Sequence, residues 1–62
     1  MKRKEFLKYL ESHKCYFLRE GGNHTIYVNS QNNKVSAIPR HNEIFDYLAK
    51  KICKDLEIPI IK

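Results

Sequence analysis

The stretch Cys15–Pro39, CYFLREGGNHTIYVNSQNNKVSAIP, decides the fold. It holds three short runs rich in aromatic and β-branched residues, Cys15–Arg19, His24–Val28 and Lys34–Ile38, each followed by residues that turn a chain. Gly21-Gly22-Asn23 separates the first two. Glycine adopts positive φ without a Cβ clash, so this spacing predicts a tight hairpin. Asn29-Ser30-Gln31-Asn32-Asn33 is a polar turn before the third run, and Pro39 closes that run because it has no N–H to give to a ladder. Three consecutive strands joined in this way form an antiparallel meander.

Working outward, Phe6, Leu7 and Leu10 lie among Lys2, Arg3, Lys4, Glu5, Lys8 and Glu11 at the spacing of one apolar helix face, which predicts a helix from Lys2 to His13. After Pro39, the residues Ile44, Phe45, Leu48, Ala49, Ile52, Cys53 and Leu56 repeat a helical stripe, with Asn42 as its expected N-cap. Glu43 and Asp46 near its start and Lys50, Lys51 and Lys54 further on suit the helix dipole. The order is therefore α-β-β-β-α, an α+β fold with two helices on one face of a three-stranded antiparallel sheet. The double-stranded-RNA-binding domain has the same order. No repeat, linker or low-complexity segment interrupts it, so residues 1–62 read as one domain.

Twelve Lys and Arg against seven Asp and Glu give a formal charge of +5 over 62 residues, a field that favours polyanionic partners. A domain below about 70 residues seldom gains more than roughly 3–5 kcal/mol from its core, so dependence on a partner is expected as well. Cys15 and Cys53 stand far apart inside apolar patterns and read as buried, reduced thiols of a cytoplasmic protein. A zinc site built from His13, Cys15, His24 and Cys53 lacks any C-x-x-C or H-x-x-x-H pair, so neither metal nor cofactor is expected. Lys8 and Glu11 break the apolar run that a leader would need after Lys2-Arg3-Lys4, and no segment reaches the roughly 20 apolar residues of a membrane helix.

Two constellations carry possible chemistry. Arg19-Glu20-Gly21-Gly22-Asn23-His24-Thr25-Ile26-Tyr27 places a histidine where a glycine turn enters a strand. Ile38-Pro39-Arg40-His41-Asn42-Glu43 is a proline-fixed loop leading into the second helix. Histidine, with an ordinary pKa near 6.5, is the side chain best matched to proton transfer at neutral pH. Strict alternation sets His24 on the same face as Ile26 and Val28, a place that also suits a structural histidine, while its position first in the strand lets it project past the helix edge. His41 either caps the second helix or touches phosphate. Tyr27 either packs in the sheet or offers a ring to a base. Arg19 and Arg40 are candidate phosphate contacts, since basic side chains on the backbone are the usual source of affinity for nucleic acid. Lys2, Arg3, Lys4 and Lys8 read as a solvated helix face.

In these two constellations the chain resembles the HicA toxin family, whose pattern runs roughly G-F-x-x-x-R-x-x-G-S-H-x-x-Y, then V-P-x-H-x-E/K, then a closing helix. Arg19, Gly22, His24 and Tyr27 fall on the first motif, Pro39, His41 and Glu43 on the second, and Ile52 and Ile58 on the helix end. Lys14-Cys15 departs from the Gly-Phe pair, Asn23 from Ser, and Tyr47-Leu48 from a common Gly-Thr.

The resemblance implies an mRNA-cleaving toxin with His24 essential and a HicB-type antitoxin as partner; Arg19, Gly22, Asn23, Tyr27, Arg40 and His41 are the expected RNA contacts. RNA carries its own nucleophile, the 2′-hydroxyl, so cleavage needs alignment, proton transfer and charge neutralisation rather than a metal. Two alternatives stand beside it: an RNA-binding module of the same fold without catalysis, recognising A-form shape, and a small interaction protein that binds one acidic partner.

Overall fold

The computed structural model describes residues 1–61. The chain runs through helix α1 (Arg3–Ser12), strands β1 (Cys15–Gly21), β2 (His24–Asn29) and β3 (Val35–Pro39), and helix α2 (Asp46–Leu56). The strands form one antiparallel sheet in the order β1-β2-β3, and the predicted α-β-β-β-α order is the observed one. Phe6 and Leu10 of α1, and Ala49, Ile52, Cys53 and Leu56 of α2, are buried in a single core with Cys15, Tyr27, Ile38 and Ile44. None of the described helices is long and apolar enough to cross a membrane.

The register fixes which side chains share a face, because directly paired residues point the same way. Cys15 pairs with Asn29, Glu20 with Thr25, Thr25 with Ile38, and Tyr27 with Ser36, and this face lies under the helices. The other face carries three rows across the strands: Tyr16, Val28 and Val35; Arg19, Ile26 and Ala37; and Gly21, His24 and Pro39. His24 does share its face with Ile26 and Val28, and that face is the open one. A bulge between Phe17 and Arg19 keeps β1 in register with β2 on either side of it.

Polarity would have placed Thr25, Asn29 and Ser36 outside, yet each is buried because the helices supply its partners. Asn29 Nδ2 donates to the Leu56 carbonyl at 2.7 Å, while its Oδ1 accepts from the Gln31 N–H at 2.9 Å. Ser36 donates to Asp55 at 3.0 Å. Thr25 receives a hydrogen bond from Arg3 at 3.1 Å. Among the described residues no buried side-chain nitrogen or oxygen lacks a partner.

The start of α2 differs from the sequence expectation. Asn42 does not cap the helix: its carbonyl accepts the Arg3 N–H at 2.8 Å, Lys2 and Glu43 form a bridge, and the Ile44 N–H donates to the Met1 carbonyl at 2.8 Å. This short pairing holds residues 42–44 extended and delays the helix to Asp46, so only Asp46 of the two acids lies in its first turn. Phe45 takes the N-cap backbone position with no side-chain cap, and at 66% exposure it is not part of the buried stripe. Ile44 reaches the core from the loop instead.

The end of α2 carries a conformational cost. Glu57 sits at φ 57°, ψ 48°, the left-handed conformation in which a helix usually places glycine. A Cβ there costs roughly 1 kcal/mol or more, while the ion pair to Lys34 at 3.9 Å is exposed and contributes little. Glu57→Gly is therefore expected to raise the melting temperature by roughly 4–8 °C, the shift that about 1 kcal/mol gives in a domain of this size. A lower melting temperature would show that Glu57 holds the helix end by some other means.

Candidate functional site

The two-residue loop Gly22-Asn23 joins Gly21 to its partner His24. Gly22 carries φ 60° in open space, the conformation for which glycine is selected at the first loop position. This turn leaves Asn23 and His24 exposed at one end of the open sheet face. Gly21 is constrained differently. A Cβ added to it would lie 3.1 Å from the Ile26 side chain and 3.2 Å from Arg19 Nη1, so the Arg19 guanidinium lies against Gly21, the residue directly across from His24. Arg19 makes no ion pair among the described residues. An imidazole and a free guanidinium thus flank one end of the sheet.

A second group of residues supports that end from behind. Arg3 Nε donates to the Pro39 carbonyl at 2.9 Å and its Nη2 to Thr25 Oγ1 at 3.1 Å. Thr25 Oγ1 in turn donates to Glu20 Oε1 at 3.3 Å, and the same oxygen accepts from the Arg40 guanidinium. Pro39 and Thr25 are respectively the cross-strand partner and the chain neighbour of His24, so this network ties α1 and all three strands at the position that sets His24. Arg3 was expected on a solvated face. It stands three residues before Phe6, four before Leu7 and seven before Leu10, and that helical spacing was the available sign that it faces inward.

The remaining expected residues separate. Arg40 is half exposed and ion-paired with Glu20, so its charge is partly committed within the chain. Tyr27 lies on the opposite face from His24, buried at 6% exposure, which removes its ring from any incoming base and corrects the stacking reading. Burial, with a smaller contribution from Glu11, raises its phenol above the usual range and keeps it protonated. His41 is exposed and caps no helix; it lines a shallow groove with Pro39, Glu43, Phe45, Tyr47 and Leu48.

Cys15 and Cys53 are free and buried, and burial pushes both thiols up, so neither is a competent nucleophile. The His13 ring packs tilted at 55° against Tyr9 with centroids 4.6 Å apart, and Cys15 pairs with Asn29 at the other end of the sheet from His24. Among the described residues no three His, Cys, Asp or Glu side chains gather as metal ligands.

Residues 3–58 match a family model described as the HicA toxin of bacterial toxin-antitoxin. No curated protein and no solved structure matches the chain. The matched span begins at Arg3, crosses the hairpin that presents His24, and ends at Ile58 just beyond α2, so it takes in every element that builds this site. A match over nearly the whole chain means that the chain belongs to the HicA toxin family.

Proposed function

We propose that this protein is a metal-independent endoribonuclease, the toxin of a type II toxin–antitoxin pair, which cleaves mRNA with His24 as general acid or base. The reading rests on one observation: His24 is exposed at the end of the open sheet face, across from the glycine against which the unpaired Arg19 guanidinium lies. In the reaction the ribose 2′-hydroxyl attacks the adjacent phosphorus and the 5′-oxygen leaves. His24 takes the hydroxyl proton or supplies one to the leaving oxygen, water exchanging the other proton, so that a cyclic 2′,3′-phosphate and a 5′-hydroxyl result, and Arg19 balances the charge on the phosphoryl oxygens. Gly22 and Asn23 form the exposed turn over which the RNA backbone approaches, with Arg40 and His41 as further contacts beyond Pro39.

Family membership supports a HicB-type antitoxin as the partner, acting in the cytoplasm. The open face offers it Tyr16, Ile26, Val28, Val35 and Ala37, an apolar surface contiguous with His24, and a protein covering it would exclude RNA from the site.

The direct test is incubation of the purified protein with single-stranded RNA across a salt series, with and without EDTA. Cleavage is expected to persist in EDTA, and binding to weaken steeply as salt rises, because phosphate contacts release counterions. Loss of cleavage in EDTA, or the absence of cleavage in every condition, would overturn this reading.

A further inference from the structure

Phe45 and Tyr47 are the most exposed large apolar side chains of this protein, at 66% and 72%, and neither takes part in the core or in the His24 network. Their rings lie nearly parallel, 10° apart with centroids separated by 5.9 Å. They form one wall of the groove that also takes in Pro39, His41, Glu43 and Leu48. Pro39 is the residue paired with His24, so the groove begins beside the proposed cleavage position and leads away from it over the start of α2.

The charges around the groove distinguish its occupants. Glu43 lines it, its charge partly met by the N-terminal ammonium at 3.6 Å and Lys2 at 3.8 Å, and the exposed Asp46 lies between the two aromatic residues in sequence. Among the described residues the groove itself thus holds no cation for a phosphate, while the Glu43 carboxylate offers acceptors to the N–H groups of a base. Cations lie further along the same helix face. Lys50, Lys51 and Lys54 follow Tyr47 at the three-, four- and seven-residue spacing of one exposed stripe, and Lys50 and Lys54 have no ion pair among the described residues. Exposed aromatic rings beside a track of cations are the combination by which proteins hold single-stranded nucleic acid, bases on the rings and backbone along the charges.

We propose that Phe45 and Tyr47 form a stacking seat for a nucleobase of single-stranded RNA next to the bond cleaved at His24, with Lys50 and Lys54 following the backbone beyond it. The seat takes over the stacking role that the buried Tyr27 does not fill, and it makes unpaired RNA, rather than A-form duplex, the substrate. This inference rests on the RNA-cleaving reading above.

The test compares wild type with the Phe45→Leu/Tyr47→Leu and Phe45→Ala/Tyr47→Ala variants, whose folding is checked by circular dichroism. Binding is measured to uncleavable single-stranded 2′-O-methyl RNA and to the same strand made abasic. Cleavage of ordinary RNA and neutralisation by the antitoxin are measured alongside. Both variants are expected to bind the base-bearing strand roughly 5- to 150-fold more weakly, the range for losing one stacked base, and the abasic strand as wild type does. The leucine pair keeps apolar area but has no ring face, so it should be as defective as the alanine pair. If wild type binds and cleaves RNA while both variants match it within about twofold, the seat is refuted and the ribonuclease reading stands. Variants that lose only antitoxin neutralisation would identify the ring pair as a protein contact and refute it equally. A wild type that neither binds nor cleaves RNA would remove both.

Discussion

His24→Ala is expected to abolish RNA cleavage and growth inhibition while the variant melts and binds RNA as the wild type does. The His24 side chain is exposed and is not part of the buried core, so truncation falls in the class of surface substitutions that change stability by about 0.5 kcal/mol or less. The network behind it, Arg3 to Pro39 and Thr25, does not pass through the imidazole and survives the change. Arg19 keeps its place against Gly21, so phosphate contacts remain. Removing the proton-transfer group should instead lower the rate by roughly 10²- to 10⁴-fold, the usual scale of general acid–base catalysis. A structural histidine would lose stability and activity together; a catalytic one loses activity alone. Melting, binding and cleavage therefore belong in one experiment, and cleavage within about threefold of wild type would transfer the role to another group, with exposed His41 beyond Pro39 as the next to test.

Phe6→Ala is expected to unfold most of the protein at ambient temperature. Phe6 is fully buried on α1 and belongs to the one core that joins both helices to the sheet. Truncating a buried phenylalanine costs about 3–5 kcal/mol through lost transfer energy and the cavity left behind, which is comparable with the whole stability expected of so small a domain. Activity should fall with the folded fraction, and an antitoxin that binds only the folded chain should restore structure by mass action. Phe45→Ala provides the contrast, since Phe45 is exposed and its truncation should leave the melting temperature within a few degrees of wild type. A Phe6→Ala variant that melts within a few degrees of wild type would mean that the core repacks around the void, against the close packing expected of so small an interior.

The contrast between Phe6 and Phe45 shows where sequence reading succeeds. Both stand in helical apolar patterns, and for Phe6 the pattern is decisive because Leu10 lies one turn on and charged residues occupy the other face of α1. Phe45 fits its stripe equally well in register. The helix does not begin until Asp46, because residues 42–44 are drawn into pairing with the start of the chain, and spacing cannot convey that a segment distant in sequence will take those backbone groups. The candidate site divides in the same way. The Gly-Gly-Asn turn before His24 was legible because positive φ belongs to glycine and hairpin geometry follows from it. The committed charge of Arg40 and the support from Arg3 depend on contacts across 20 to 36 residues of chain, Arg40 to Glu20 and Arg3 to Thr25 and Pro39.

From the sequence alone came the element order, the hairpin that presents His24 and the basic character of the chain, because each depends on backbone preferences and periodicities spanning a few residues. Only the tertiary structure decided which face of β2 is buried. By composition His24-Ile26-Val28 is the more apolar face and would read as inward, yet Thr25-Tyr27-Asn29 is the buried one. The choice falls to partners far along the chain: the Leu56 carbonyl for Asn29, Arg3 for Thr25, and Asp55 for Ser36 on the neighbouring strand. A polar side chain is buried at little cost where a partner waits for it, and those partners set Tyr27 in the core and left His24 facing outward.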